Sequence, residues 1–184
     1  MMCILFGVAL AFGGCKGKPL RQPNMQTGYL HTTEELQSDS IPDSVYRLVN
    51  LRALSIKGMD CDYGDSLLHC WALSVIPAKI GNLTKLESLS LPVNAISSIP
   101  PELGDLQNLK SIDLSDNASL SDIGSIVKIK GLTSLGLYGC HISRLPENIG
   151  ELKNLKQLGL VGNPIGGAER ERIRMALPGC RVLF

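Results

Sequence analysis

Apolar positions in this chain follow two superposed rhythms. Over a few residues they alternate, as in Leu89-Ser90-Leu91, the period-2 signature of a short strand. Over longer stretches the local pattern returns at a fixed interval: Leu83, Leu106, Ile129 and Leu152 each stand 23 residues after the one before. Leu48 precedes Leu83 by 35 residues, which is 23 plus an insertion of 12. The alternation predicts a strand around residue 89 with both leucines on one face and Ser88, Ser90 and Pro92 on the other. Recurrence predicts that such strands stack in parallel, because no single unit of this size buries its own apolar face.

The clearest copy reads Leu86-x-x-Leu89-x-Leu91-x-x-Asn94-x-Ile96-x-x-Ile99-Pro100. Others run through Leu109, Ile112, Leu114 and Asn117; through Leu132, Leu135, Leu137, Cys140 and Ile142; and through Leu155, Leu158, Leu160 and Asn163, with an earlier copy at Leu51, Leu54 and Ile56. An Asn at the end of each strand supplies the polar groups that a tight bend needs for its backbone. Met59 and Cys140 occupy Asn positions, and Leu120 and Ile123 fall one residue late, so the coil after Asn117 should be less regular on its outer side. Together these residues resemble the leucine-rich repeat, in its common 23-residue class. That resemblance implies an α/β solenoid with a curved parallel sheet on the concave side and irregular or short helical segments on the convex side. The repeats then cover 48–165, interrupted by the insertion 60–71. Residues 24–47 form a degenerate N-terminal cap, and 166–184 a C-terminal cap with a helix over 168–176 and a final strand.

Composition sharpens the picture. Aromatic residues make up only 4% of the chain while leucine abounds, as one packing unit used repeatedly requires. The formal net charge is +1, which leaves no electrostatic footprint for nucleic acid. Residues 1–14 (MMCILFGVALAFGG) are uncharged and apolar, too short for a spanning helix and placed where a signal peptide sits. Phe12-Gly13-Gly14-Cys15 resembles the lipobox of bacterial lipoproteins, with Phe12 where Leu is usual. The resemblance implies cleavage before Cys15, acylation of that cysteine, a linker over 15–23, and membrane attachment through the acyl chains alone. A conventional secretory signal without acylation is the competing expectation.

The insertion (DCDYGDSLLHCW) brackets Tyr63 and His69 between Cys61 and Cys70 and ends on Trp71. In an oxidising compartment the two cysteines could close a loop; two free thiols, or pairing elsewhere, is the alternative. Asp60, Asp62 and Asp65 lack the spacing and the later Glu of a calcium loop, and Cys61, His69 and Cys70 lack a fourth zinc ligand, so no metal is expected. Cys140 and His141 are neighbours, but an inward Asn position beside an outward one sends them apart. Asp113 and Asp116 have no companion acid or base. No catalytic constellation, phosphate loop or dinucleotide fingerprint is present, and no cofactor is expected.

Function is then expected from the concave face, built on Ser88, Ser90, Pro92, Ser111, Asp113, Ser115, Tyr138 and Val161, with Tyr63 and Trp71 of the insertion as further contacts. Tyr138 is the one large anchor of a kind that often dominates interfaces. The expectation is an exported, membrane-anchored lipoprotein of the bacterial cell envelope that binds a protein or peptide. The alternative is a structural scaffold; an enzyme or glycan-binding accessory has little in its favour.

Overall fold

The computed structural model describes residues 29–31, 39–58, 60–62 and 69–184, with the backbone alone for 29–31, 60–62 and 69–71. The leader, Cys15, the linker and Tyr63 lie outside the described residues. Strands of three residues each recur along the chain: β1 (Tyr29–His31), β2 (Ala53–Ser55), β3 (Asp60–Asp62), β4 (His69–Trp71), β5 (Ser88–Ser90), β6 (Ser111–Asp113), β7 (Ser134–Gly136), β8 (Gln157–Gly159) and β9 (Arg181–Leu183). Seven of them form one sheet in the order β1-β2-β5-β6-β7-β8-β9, every pair parallel. The register is uniform: Leu54, Leu89, Ile112, Leu135 and Leu158 stand side by side. Sheet order is sequence order because each connection is one coil of the solenoid.

Alternation decides which residues enter the core. In β2, β5, β6 and β7 the middle residue is buried and its neighbours are partly exposed. A second buried row, Ile56, Leu91, Leu114, Leu137 and Leu160, follows two residues later. Return segments on the convex side are single 3-10 turns at Ala78–Asn82, Pro101–Asp105, Gly124–Lys128 and Ile149–Glu151. Pro77 and Pro100 hold the extended conformation before the first two, where a fixed φ starts the turn. The coil that runs late in register has no proline there; the Asp122 carboxylate accepts the Gly124 N–H at 2.9 Å instead.

The C-terminal end closes with a helix, α1 (Gly167–Ala176), and the strand β9. Between inner coils the convex backbone bonds directly, as Ile99 N–H does to the Asp122 carbonyl at 3.2 Å. After Leu145 no further coil exists to do this. Glu169 accepts the Leu145 N–H at 2.9 Å, Arg172 donates to the Leu145 carbonyl at 2.8 Å, and the two side chains pair at 2.7 Å. Two side chains thus stand in for the missing peptide groups. Arg170 and Arg174 lie over the Phe184 ring, 5.3 and 5.1 Å from its centre, and fasten the chain end to the helix.

The insertion adds a second, two-stranded sheet, in which β3 and β4 pair antiparallel. Cys61 lies directly opposite Cys70, with Asp60 opposite Trp71 and Asp62 opposite His69. No helix among the described residues is long and apolar enough to cross a membrane.

Candidate functional site

The sheet presents one face to the core and the other to solvent, and the solvent face carries a regular chemical layout. Three rows cross it. The first strand positions give Ser88, Ser111, Ser134, Gln157 and Arg181; the third give Ser55, Ser90, Asp113, Gly136, Gly159 and Leu183; two residues further on stand Pro92, Ser115, Tyr138 and Val161. Its β5–β6 side is small and polar. Toward β9 it becomes apolar, with Tyr138 38%, Val161 47% and Leu183 38% exposed.

Two glycines shape that apolar end. Gly159 is where a side chain would collide with the Tyr138 ring, so the ring lies flat across β8 instead of standing into solvent. Gly136 has the Asp113 carboxylate 2.8 Å from where its Cβ would be, so that carboxylate leans over β7. Asp113 is held there by Ser115, whose N–H and hydroxyl both donate to Oδ1, at 3.1 and 2.6 Å. Ser115 itself is buried by this arrangement and Gly159 by the ring, so neither offers the open contact that alternation alone assigns them.

Behind the face runs an amide ladder that fixes its curvature. Asn117 donates to the carbonyls of Leu114 (2.8 Å) and Leu91 (3.0 Å) and accepts the Ile96 N–H (3.0 Å). Asn94 and Asn163 repeat this, accepting from Leu73 and Ile142. The residue before each ladder position is left-handed: Val93, Asp116, Gly139 and Gly162, with φ of 59°, 58°, 60° and 82°.

Comparison with known proteins places this architecture. The leucine rich repeat family matches residues 84–142. The fold is a leucine-rich-repeat solenoid. Similar solved structures include a leucine-rich-repeat protein of Leptospira interrogans, 28% identical over 79% of this chain with a TM-score of 0.55. An internalin from Listeria monocytogenes is 22% identical over 82% of the chain with a TM-score of 0.58. The leucine-rich-repeat domain of the type III effector XopL is 24% identical over 79%, with a TM-score of 0.56. The chain spans 40%, 44% and 56% of those three chains respectively. No curated protein matches it in sequence.

Within the solenoid, Cys140 and His141 diverge. Cys140 is buried, its thiol 3.3 Å from the Leu114 carbonyl, while His141 is exposed with Nδ1 on the Ala118 carbonyl. Burial pushes the Cys140 thiol up from its ordinary pKa, and the charges of Asp116 and Asp113 push the same way, opposite to what a nucleophile needs. Among the described residues no group of three or more His, Cys, Asp or Glu side chains is placed to hold a metal. Of the sequence-predicted contacts, Ser88, Ser90, Pro92, Ser111, Asp113, Tyr138 and Val161 share the concave face, and the backbone puts Trp71 in β4 of the hairpin. Leu183 and Arg181 extend the same face and escaped the repeat count, because the final strand follows a helix and not another repeat.

Proposed function

We propose that this leucine-rich-repeat protein is a cell-envelope lipoprotein, exported, acylated at Cys15, and binding a protein or peptide through its concave face and the 60–71 insertion. The observation that carries the binding half is the open sheet face itself: of the six large apolar side chains exposed among the described residues, Tyr138, Val161 and Leu183 gather at one end of it, while Val49, Val75 and Met175 lie elsewhere. The leader and the lipobox-like Phe12-Gly13-Gly14-Cys15 support the anchoring half. Export would put the hairpin in an oxidising compartment, and a directly opposed cross-strand pair lies within the Cα separation a disulfide spans, which supports a Cys61–Cys70 bond. We read the surface as a binding module and not as an enzyme.

Crosslinking in the native cell, followed by mass spectrometry, tests the binding half; wild-type chain should yield a discrete protein partner that Tyr138→Ala or deletion of 60–71 weakens. Unchanged capture by both variants would count against the surface. Metabolic fatty-acid labelling tests the anchor, since Cys15→Ala should lose the label and leave the membrane fraction. A scaffold role remains the second reading, because the β5–β6 side of the face is mainly small serines that offer no anchor. Self-association of purified chain at micromolar concentration would favour it.

A further inference from the structure

Across the β7–β9 end of the concave face, chemistry changes strand by strand. The Asp113 carboxylate lies over β7, the Tyr138 ring over β8, and Leu183 stands on β9. Adjacent strands are about 4.8 Å apart, so carboxylate, ring and aliphatic side chain succeed one another at roughly that step. Val161 is the register neighbour of Tyr138 in the next coil, two residues past Gly159.

Charge decides what this apolar face suits. Oδ1 of Asp113 is occupied by Ser115, and Oδ2 carries no hydrogen bond among the described residues. Asp116, exposed in the next turn, also lacks an ion pair among the described residues, as do Asp39, Glu102, Asp105 and Asp122 elsewhere in the fold. An acidic side chain brought over β7 would meet two uncompensated negative charges, whereas the cation of this end of the face, Arg181, stands two strands away on β9. A Lys or Arg would lay its methylene stem along the Tyr138 ring, present its cation to the ring face and to Asp113, and leave a neighbouring apolar residue against Val161 and Leu183.

We propose that this end of the face docks a partner-protein segment in which Lys or Arg stands beside an apolar residue. The inference rests on the protein-binding reading above and names the chemistry of that partner. Asp113→Asn is the informative variant, because its amide oxygen still accepts the two Ser115 bonds while the charge is lost. Asp116→Asn is its companion, since Asn tolerates the left-handed backbone there.

The test is the full chain on an array of random peptides, with affinities of the best ligands measured at low and high salt. Retained peptides should be enriched in Lys or Arg adjacent to Leu, Ile, Val or an aromatic residue. Asp113→Asn and Tyr138→Ala should each weaken them about tenfold, the size of one charge-assisted or cation–π contact. Salt should weaken wild type more than the Asp113→Asn/Asp116→Asn double variant. Enrichment of acidic or uncharged peptides, affinity indifferent to Asp113→Asn, or no retained peptide overturns this inference. If in-cell crosslinking still yields a partner sensitive to Tyr138→Ala or to loss of 60–71, the parent reading stands and only the partner chemistry fails.

Discussion

Asn117 serves three backbone groups with one amide, and Cys140, one coil later, serves carbonyls alone. The missing acceptor has a structural counterpart. Each ladder Asn accepts the N–H found 21 residues earlier, which for Cys140 is that of Ser119. Ser119 is exposed, and the coil's next buried residue is Leu120, one place late. The slipped register and the lost asparagine coincide: where the ladder's N–H would belong to an exposed residue, no amide oxygen is supplied. Asn117→Ala should cost about 3 kcal/mol, since it strands several buried backbone groups, whereas Cys140→Ala should cost about 1 kcal/mol. Urea midpoints on the two variants check the ordering. Val93 makes a second case, being β-branched in a left-handed conformation where the equivalent places hold Gly139 and Gly162. Val93→Gly should raise stability by about 0.5–1 kcal/mol, the steric relief exceeding glycine's entropy cost. The sequence shows the departures at Cys140 and Leu120 but not their coincidence, because the ladder hydrogen bond runs between successive coils.

Among the elements, α1 and the hairpin depend on pairs that periodicity does not reveal. The helix was legible from its charged run and its place after the last repeat. Its clasp on Leu145 was not, since Glu169 and Arg172 look like any surface pair three residues apart. Hydrogen bonds from Arg172, and then from the Leu145 N–H, hold the Glu169 carboxyl below its ordinary 4.5, against the desolvation that would raise it. A lowered folded value means that its stabilisation is complete above pH 4.5 and is lost as pH falls from there through the folded value. Glu169→Gln should accordingly lower stability at neutral pH and flatten the acid limb below pH 4.5, measured as melting temperature against pH. In the hairpin, the two cysteines are legible but their register is not; only the pairing of β3 with β4 sets them opposite. Non-reducing peptide mapping of protein from its native compartment should recover Cys61 and Cys70 in one linked fragment, and recovery of both as free thiols would remove the bond.

At the scale of the molecule, the 23-residue interval made the solenoid readable from sequence, and the solved neighbours share its fold. What the interval could not convey is how the concave side chains lie. The repeat assigns Tyr138 and Ser115 to the same row, yet one is laid across a glycine and the other is buried against a carboxylate. Both placements come from glycines in a neighbouring strand, so they are properties of adjacent coils and not of any one repeat. Stability in such an array is a sum over coils and the joints between them. Leu135→Ala, which removes a side chain from the shared core row, should cost about 3 kcal/mol, and hydrogen exchange should show protection falling on both sides of β7, not in β7 alone.

The joint at Cys140 has a mechanical consequence. Pulled from its two ends, a stack of coils yields where the fewest bonds cross from one coil to the next. At that joint a weak thiol contact replaces an amide that elsewhere clamps three backbone groups. In a single-molecule stretching experiment the first rupture should separate the coils on either side of it, leaving the β7–β9 end with its helix as one late-breaking block and the β2–β6 end as another. Cys140→Asn should raise the rupture force at this joint, because its amide restores a full donor to the Leu114 carbonyl. An unchanged force would instead trace the weak point to the slipped coil and not to the cysteine.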